Sequence, residues 1–203
     1  YLDILKDRLY TSPRSSVEYR SARTSMYLIL DAITRVIAPV LSFTADEIWQ
    51  QMPGEREESV HLASFPQLME KRYDAELEAR YAQLQKVRSD VSRVLEKART
   101  EKQIGQSLEA KIQLQLPENL HSLLNEYRDQ LPSLFIVSQV ELLEELADGV
   151  NAEQVPGLKL KVQSADGEKC ERCWVHEPSV GTDDAHPTIC SRCQNALESI
   201  DAG

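Results

Sequence analysis

Every cysteine of the chain lies in "KCERCWVHEPSVGTDDAHPTICSRC", residues 169–193, as two C-x-x-C pairs with sixteen residues between them. Three chemistries use thiols in this way. Disulfides belong to oxidising compartments, and no secretory leader is read at the start of the chain. A redox dithiol of the thioredoxin kind needs one C-x-x-C at a helix N-terminus after a strand, whereas here there are two, flanked by turn formers. A metal fits best. Two cysteines two residues apart close on one ion in a tight knuckle, and two knuckles with a spacer of this length supply four thiolates at tetrahedral angles. Cys170, Cys173, Cys190 and Cys193 are the expected ligands of one zinc ion. Replacement of one of them by His176 or His186 would leave a cysteine over. A four-sulfur site has no open position and activates no water, so the zinc is expected to be structural. Trp174, Val175 and Ile189 are expected to pack round the knuckles, the alternative for Trp174 being to stack on a nucleobase.

No catalytic constellation accompanies the cysteines. The sequence holds no G-x-x-x-x-G-K-[ST], G-x-S-x-G, G-x-G-x-x-G or H-E-x-x-H motif. His61, His121, His176 and His186 lie far apart, and acid pairs such as Glu144-Glu145 sit in a strongly acidic stretch. No catalytic residue is assigned, and the chain reads as a recognition piece.

The elements that must carry the finger change character along the chain. Residues 1–11 read as a short helix broken by "TSPRSS". In the next segment Ala22, Met26, Ile29, Leu30, Ile33, Val36 and Ile37 recur at three- and four-residue steps, an apolar stripe that calls for other helices. Thr44 with Glu47 has the form of a capping box opening the helix "ADEIWQQM", which Pro53-Gly54 stops. The longest helix runs from about Tyr73 to Lys102, with Leu77, Tyr81, Leu84, Val91, Leu95 and Ala98 on a seam that Arg88 interrupts. These four helices predict a bundle. The period then changes to two, since Leu108, Ala110, Ile112, Leu114 and Leu116 alternate with polar residues as a half-buried strand requires. "ENLHSLLNEYRDQL" returns to helix, and "SLFIVSQVEL" and "GLKLKVQ" read as two more strands. The fold class expected is mainly α: a helical bundle over residues 1–104, a small α/β domain of three strands and one helix over 105–164, and a zinc ribbon or finger over 165–203.

The 203 residues carry 23 Lys and Arg against 33 Asp and Glu, a net charge of −10 that argues against bulk coating of nucleic acid. The distribution is uneven. Residues 1–25 hold five basic residues against three acids, residues 86–102 hold six against three, and residues 112–150 hold one against seven. Such a pattern suits oriented docking of a polyanion on selected faces, and equally suits ordinary solvated helices. No run is long and apolar enough for a membrane span, so a soluble, cytoplasmic protein is expected, and the start at "YLDILKDRLY" without Met suggests a piece of a longer chain.

"KDRLYTSPRSS", "RSARTSMYLILDAITRVIAPVLSFTADEIWQ", "KQIGQSLEAKIQL" and the terminal "KCERCW…ICSRC", in this order, resemble the C-terminal portion of bacterial-type isoleucyl-tRNA synthetases, a class I aminoacyl-tRNA synthetase family. The resemblance covers essentially the whole chain. It implies an anticodon-binding domain, a junction domain and a zinc finger that contacts tRNA. It also implies that tRNA(Ile) is the partner, and that the nucleotide-binding fold, which uses ATP, and the editing insertion lie upstream as a catalytic domain of the same chain. This stretch would then bind tRNA without activating isoleucine. RNA is read with planar guanidinium groups, aromatics and phosphate contacts. Lys6, Arg8, Tyr10, Arg14, Arg20 and Arg23 surround the first helix break, and Lys86, Arg93, Lys97 and Arg99 are expected to recur on one side of the long helix; these ten are the candidate tRNA-binding residues. Two other classes compete. A terminal four-cysteine finger also occurs in DNA glycosylases of the formamidopyrimidine type, though their Pro-Glu start and helix-two-turn-helix are not seen, and a helical scaffold stapled by zinc would bind a protein partner.

Overall fold

Ser16 caps the start of a 21-residue helix. Its hydroxyl accepts a hydrogen bond from the Tyr19 N–H at 3.1 Å, satisfying one of the N–H groups that a helix leaves unpaired at its start. Helix α2 (Val17–Ile37) follows, after the shorter α1 (Leu2–Thr11), and leads through Ala38 to α3 (Ser42–Gln51). The computed structural model describes residues 1–67 and 73–201, with seven α-helices and small sheets among them. The chain divides into two compact units, one formed by Tyr1–Pro13 with Asp74–Gly203 and the other by Arg14–Tyr73.

In the second of these units, α2, α3 and a helical turn at Val60–Leu62 close on Trp49, which is 1% exposed and packed with Ala38, Ala45 and Val60. The Trp49 indole N–H donates to the Glu57 carbonyl at 2.8 Å, so its one polar group is satisfied. The guanidinium carbons of Arg56 and Arg35 lie 4.6 and 5.1 Å from its ring centroid. Two expectations are corrected here. The Thr44–Glu47 capping box does not form: α3 starts three residues earlier, at Ser42, with no side-chain cap at Leu41. The apolar stripe of α2 is only partly inside. Ala22 is buried, but Ile29, Leu30, Ile33 and Val36 are all exposed, and the fully buried residue on that helix is Thr34. The periodicity located the helix correctly, yet α3 and the Val60 turn cover a different and narrower face.

The other unit is built on α4 (Ala75–Thr100), whose Asp74 caps the Leu77 N–H at 2.9 Å. Its buried residues Leu84, Val87, Val91, Val94, Leu95 and Ala98 form one continuous core with the sheet that follows. The long helix therefore packs against strands, which the boundary expected at 104/105 did not foresee. That sheet has the order β2 (Gln139–Leu143), β1 (Ala110–Gln115), β4 (Lys159–Ser164), β3 (Val150–Asn151). β1 runs parallel to β2 and antiparallel to β4. The strand alternation of β1 is borne out, with Ala110, Ile112 and Leu114 wholly buried. Helix α5 (Glu118–Glu126) forms as expected and buries Leu120 and Leu124. The stretch "SLFIVSQVEL" is corrected: its first part is helix α6 (Leu131–Phe135), closed by Ile136 at φ 59°, and only Gln139–Leu143 is strand. Apolar runs this short fit helix or strand, and the turn at Ile136 decides between them. β3, two residues long, had no periodic signal to betray it.

Two polar side chains of α4 hold this core together. Asp90, 1% exposed, accepts hydrogen bonds from the backbone N–H groups of Glu153, Gln154 and Val155 at 2.8 to 3.2 Å. Arg88, which interrupts the seam, is half-buried, and its Nε donates to the Leu134 carbonyl at 2.9 Å. No helix among the described residues is long and apolar enough to cross a membrane.

Candidate metal centre and nucleic-acid interface

The four cysteines converge from two local structures. A short hairpin of β5 (Glu168–Lys169) and β6 (His176–Glu177) brackets the first C-x-x-C, and the second opens helix α7 (Ser191–Asp201). Each knuckle is tightened by its own backbone. Trp174 N–H donates to the Cys170 carbonyl at 2.8 Å, Cys193 N–H to the Cys190 carbonyl at 2.9 Å, and Cys190 N–H points at Cys170 Sγ at 3.4 Å. Gly167 permits the hairpin, at φ +86° and with so little room that a Cβ would come within 2.4 Å of the Glu177 carbonyl carbon.

All four Sγ atoms lie within 4.8 Å of one another, and Cys173 and Cys190 Sγ are 3.7 Å apart. A zinc ion with Zn–S bonds of about 2.3 Å needs sulfurs about 3.8 Å apart at tetrahedral angles, so the donor set fits that ion. Cys170, Cys190 and Cys193 are buried, with Ile189 beside them. The protons on these sulfurs are unequally held. The Cys173 thiol is pulled down to about 4, first by its hydrogen bond with Cys193, while burial pushes Cys190 up and the shared bond with Cys173 pushes Cys193 up. Cysteine binds zinc as the thiolate, so a zinc ion here would displace the protons that these sulfurs still hold. The four converging sulfurs support one structural zinc. Neither His176 nor His186 joins the cluster among the described residues. Trp174 departs from its expected packing role: its backbone is left-handed at φ 67°, its ring is 58% exposed, and Lys169 Nζ stands 5.4 Å from the ring centroid.

The finger is fastened to the rest of its unit by polar contacts. His176 N–H donates to Ser138 Oγ at 2.8 Å, and Asp166 and Gln139 exchange two hydrogen bonds at 2.9 and 3.0 Å. On the other side it meets α1. Arg192 makes a two-pronged ion pair with Asp7 at 2.5 and 2.8 Å, and Arg172 donates to the Thr11 carbonyl at 2.7 Å. Burial works against the Asp7 charge, but hydrogen bonds from Arg192 and Thr11 outweigh it and hold its pKa below the usual carboxylate value. No local pattern announces these contacts, because the partners are 161 and 185 residues apart.

Between α1, the turn at Ile136–Ser138 and the finger lies a groove of about 640 Å³, lined by Lys6, Tyr10, Arg172, Trp174 and Arg192 among others. Tyr10 is 77% exposed, and Lys6 pairs with Asp3 at 2.7 Å on the surface. Arg8 is half-buried on the same helix. The other candidates are placed differently. Arg14, Arg20 and Arg23 are exposed at and after the start of α2, with Arg23 standing 5.7 Å from the Tyr19 ring centroid. On α4, Lys86, Arg93 and Lys97 fall within about 40° of one another at about 100° per residue, while Arg99 lies on a different side. Lys86 is exposed, whereas Arg93 is committed to the Asn151 carbonyl at 3.1 Å and Glu153 at 3.2 Å, and Arg99 to Glu96 at 2.6 Å. Lys97 makes a loose pair with Glu101 at 3.9 Å.

Two family models match the chain. Residues 1–114 match the anticodon-binding domain of tRNA ligase, and residues 167–196 match the zinc finger found in FPG and IleRS. The chain is similar over 97% of its length, at 60% identity, to a protein of Syntrophotalea carbinolica named isoleucine–tRNA ligase. Proteins of the same name from Geobacter sulfurreducens and Natranaerobius thermophilus are 49% and 44% identical over 98% of the chain. The chain spans 21 to 22% of the length of these relatives. Likeness of this extent to isoleucine–tRNA ligases disfavours the glycosylase reading, whose only shared element is the finger. With residues 1–114 matched by the anticodon-binding domain of tRNA ligase, ahead of a finger of the kind found in FPG and IleRS, and with isoleucine–tRNA ligases alike along 97% of its length, the chain belongs to the family of tRNA-ligase anticodon-binding domains.

Proposed function

We propose that this chain is the tRNA-recognition portion of an isoleucyl-tRNA synthetase. The parent would attach isoleucine to tRNA(Ile) at the expense of ATP, in the cytoplasm, using a catalytic domain elsewhere in the same polypeptide. The observation that carries this reading is the joint match of residues 1–114 and 167–196 in one chain, in an order shared along 97% of its length with isoleucine–tRNA ligases. In functional terms residues 1–104 serve anticodon binding, 105–164 the junction and 165–203 the finger, with Cys170, Cys173, Cys190 and Cys193 as the zinc ligands. The zinc holds the finger's shape and supplies no reactive water.

The RNA contacts divide by what each side chain is free to do. Lys6 and Tyr10 line the groove that Trp174 borders, where an unstacked base and its phosphate find an aromatic face and a cation together, and Arg8, half-buried outside that lining, adds charge on the same helix. Arg14, Arg20, Arg23, Lys86 and Lys97 supply exposed charge for the tRNA backbone. Arg93 and Arg99 contribute only by exchanging their present acidic partners for phosphate. Filter binding with isoleucine tRNA, an unrelated tRNA and duplex DNA tests the proposal. Preference for isoleucine tRNA is expected. Equal binding to all three would remove the specificity, and no binding to any would favour the protein-binding scaffold.

A further inference from the structure

We propose that Asp7 and Arg192 form a latch through which the zinc finger positions helix α1, so that the state of the metal centre is felt in a helix more than 150 residues away. Neither residue touches RNA in this proposal; both are positioning residues. That Lys6, Arg8 and Tyr10 meet RNA rests on the reading given above.

Helix α1 needs outside support. It has ten residues and no side-chain cap at its start, and helices shorter than about 12 residues are marginal in water. Its core attachment is slight, with Leu5 and Thr11 buried and Ile4 packed at the edge of the main core. Its C-terminal end leaves carbonyls unpaired, and the half-buried Asp7 carries a charge that needs a partner. The finger corrects both faults. Arg172 donates to the Thr11 carbonyl, Arg192 grips both Asp7 oxygens, and Thr11 Oγ1 donates to the Asp7 carboxylate at 2.9 Å and to its carbonyl at 2.7 Å.

On the finger side the two arginines are set by the cysteines. Arg172 lies between Cys170 and Cys173, and Arg192 directly precedes Cys193. Arg172 Nη1 also stands 3.5 Å from Cys193 Sγ. Closing four sulfurs on one ion fixes both backbones and aims both guanidinium groups at the end of α1. Opening the site releases those backbones, and a charge-assisted pair that is no longer held in place yields to water.

The test is amide hydrogen exchange on the zinc-loaded 203-residue chain. Stripping the zinc with a chelator is expected to speed exchange in residues 2–11 about tenfold, the effect of losing one charge-assisted bond pair, and to leave residues 17–37 unchanged. Asp7→Ala, with zinc content still one per chain, is expected to reproduce the faster exchange and to make residues 2–11 much less sensitive to the chelator. Asp7→Glu should restore most of the protection. Coupling is reciprocal, so Asp7→Ala should also weaken zinc affinity, read in competition with a chelating dye, by a factor similar to that seen in α1. Exchange in residues 2–11 that ignores zinc removal, or zinc affinity untouched by Asp7→Ala, overturns the latch. Zinc-loaded Asp7→Ala should further lose tRNA affinity several-fold. If the unmodified chain binds no tRNA, the RNA reading fails while the exchange and zinc measurements still decide the latch.

Discussion

Single residues carry more of this structure than their types suggest. Asp90 sits in a helix of alternating charges, where an acid normally faces water, yet it is buried and answers three consecutive backbone N–H groups of the loop after β3. Removing it strands those donors. Asp90→Ala is expected to cost about 3 kcal/mol in urea unfolding, and Asp90→Asn less, because an amide oxygen still accepts part of the set. A loss within experimental error for the alanine variant would show that water can replace the carboxylate. Nothing local distinguished Asp90 from Glu96 or Glu101, since the loop that needs it arrives more than 60 residues later. The cysteines are the opposite case, because their spacing alone states the geometry they require.

Elements are legible by period but not by partner. The three- and four-residue steps found α2 and α4, and the alternation found β1, within a few residues. Which face of each helix would be covered depended on neighbours. On α4 the inward residues include Leu84, wholly buried in the core that the helix shares with the sheet, whereas Ile33 on α2, equally apolar in sequence, is 51% exposed. Leu84→Ala should therefore cost about 3 kcal/mol, and Ile33→Ala should stay within about 0.5 kcal/mol in this chain. Comparable losses at both sites would mean that the α2 stripe is covered after all. The hairpin of the finger makes a sharper demand, because Gly167 has both a left-handed backbone and no space for a Cβ. Gly167→Ala is expected to weaken zinc binding by about tenfold or more, with helicity unchanged by circular dichroism.

At the scale of the whole molecule the described residues form two apolar cores and one four-cysteine cluster, and each is open to its own perturbation. Cys190→Ala should release zinc and loosen residues 165–203 together with α1, while the Trp49 core keeps its hydrogen-exchange protection. Trp49→Ala should cost about 3 to 5 kcal/mol in residues 14–67 and leave one zinc per chain. Cross-talk in both directions would mean that the units share one cooperative transition.

The metal centre, the helices of the first hundred residues and the first strand were determined by the sequence, because each is encoded in spacing short enough to read: two residues within a knuckle, three or four along a helix, two along a strand. The tertiary structure alone decided that α4 lies on the sheet, that Asp90 is buried, that Trp174 faces outward and that the finger holds α1. Those outcomes depend on which distant surfaces meet. A side chain's environment there is set by a partner tens to nearly two hundred residues away, and no local pattern encodes it.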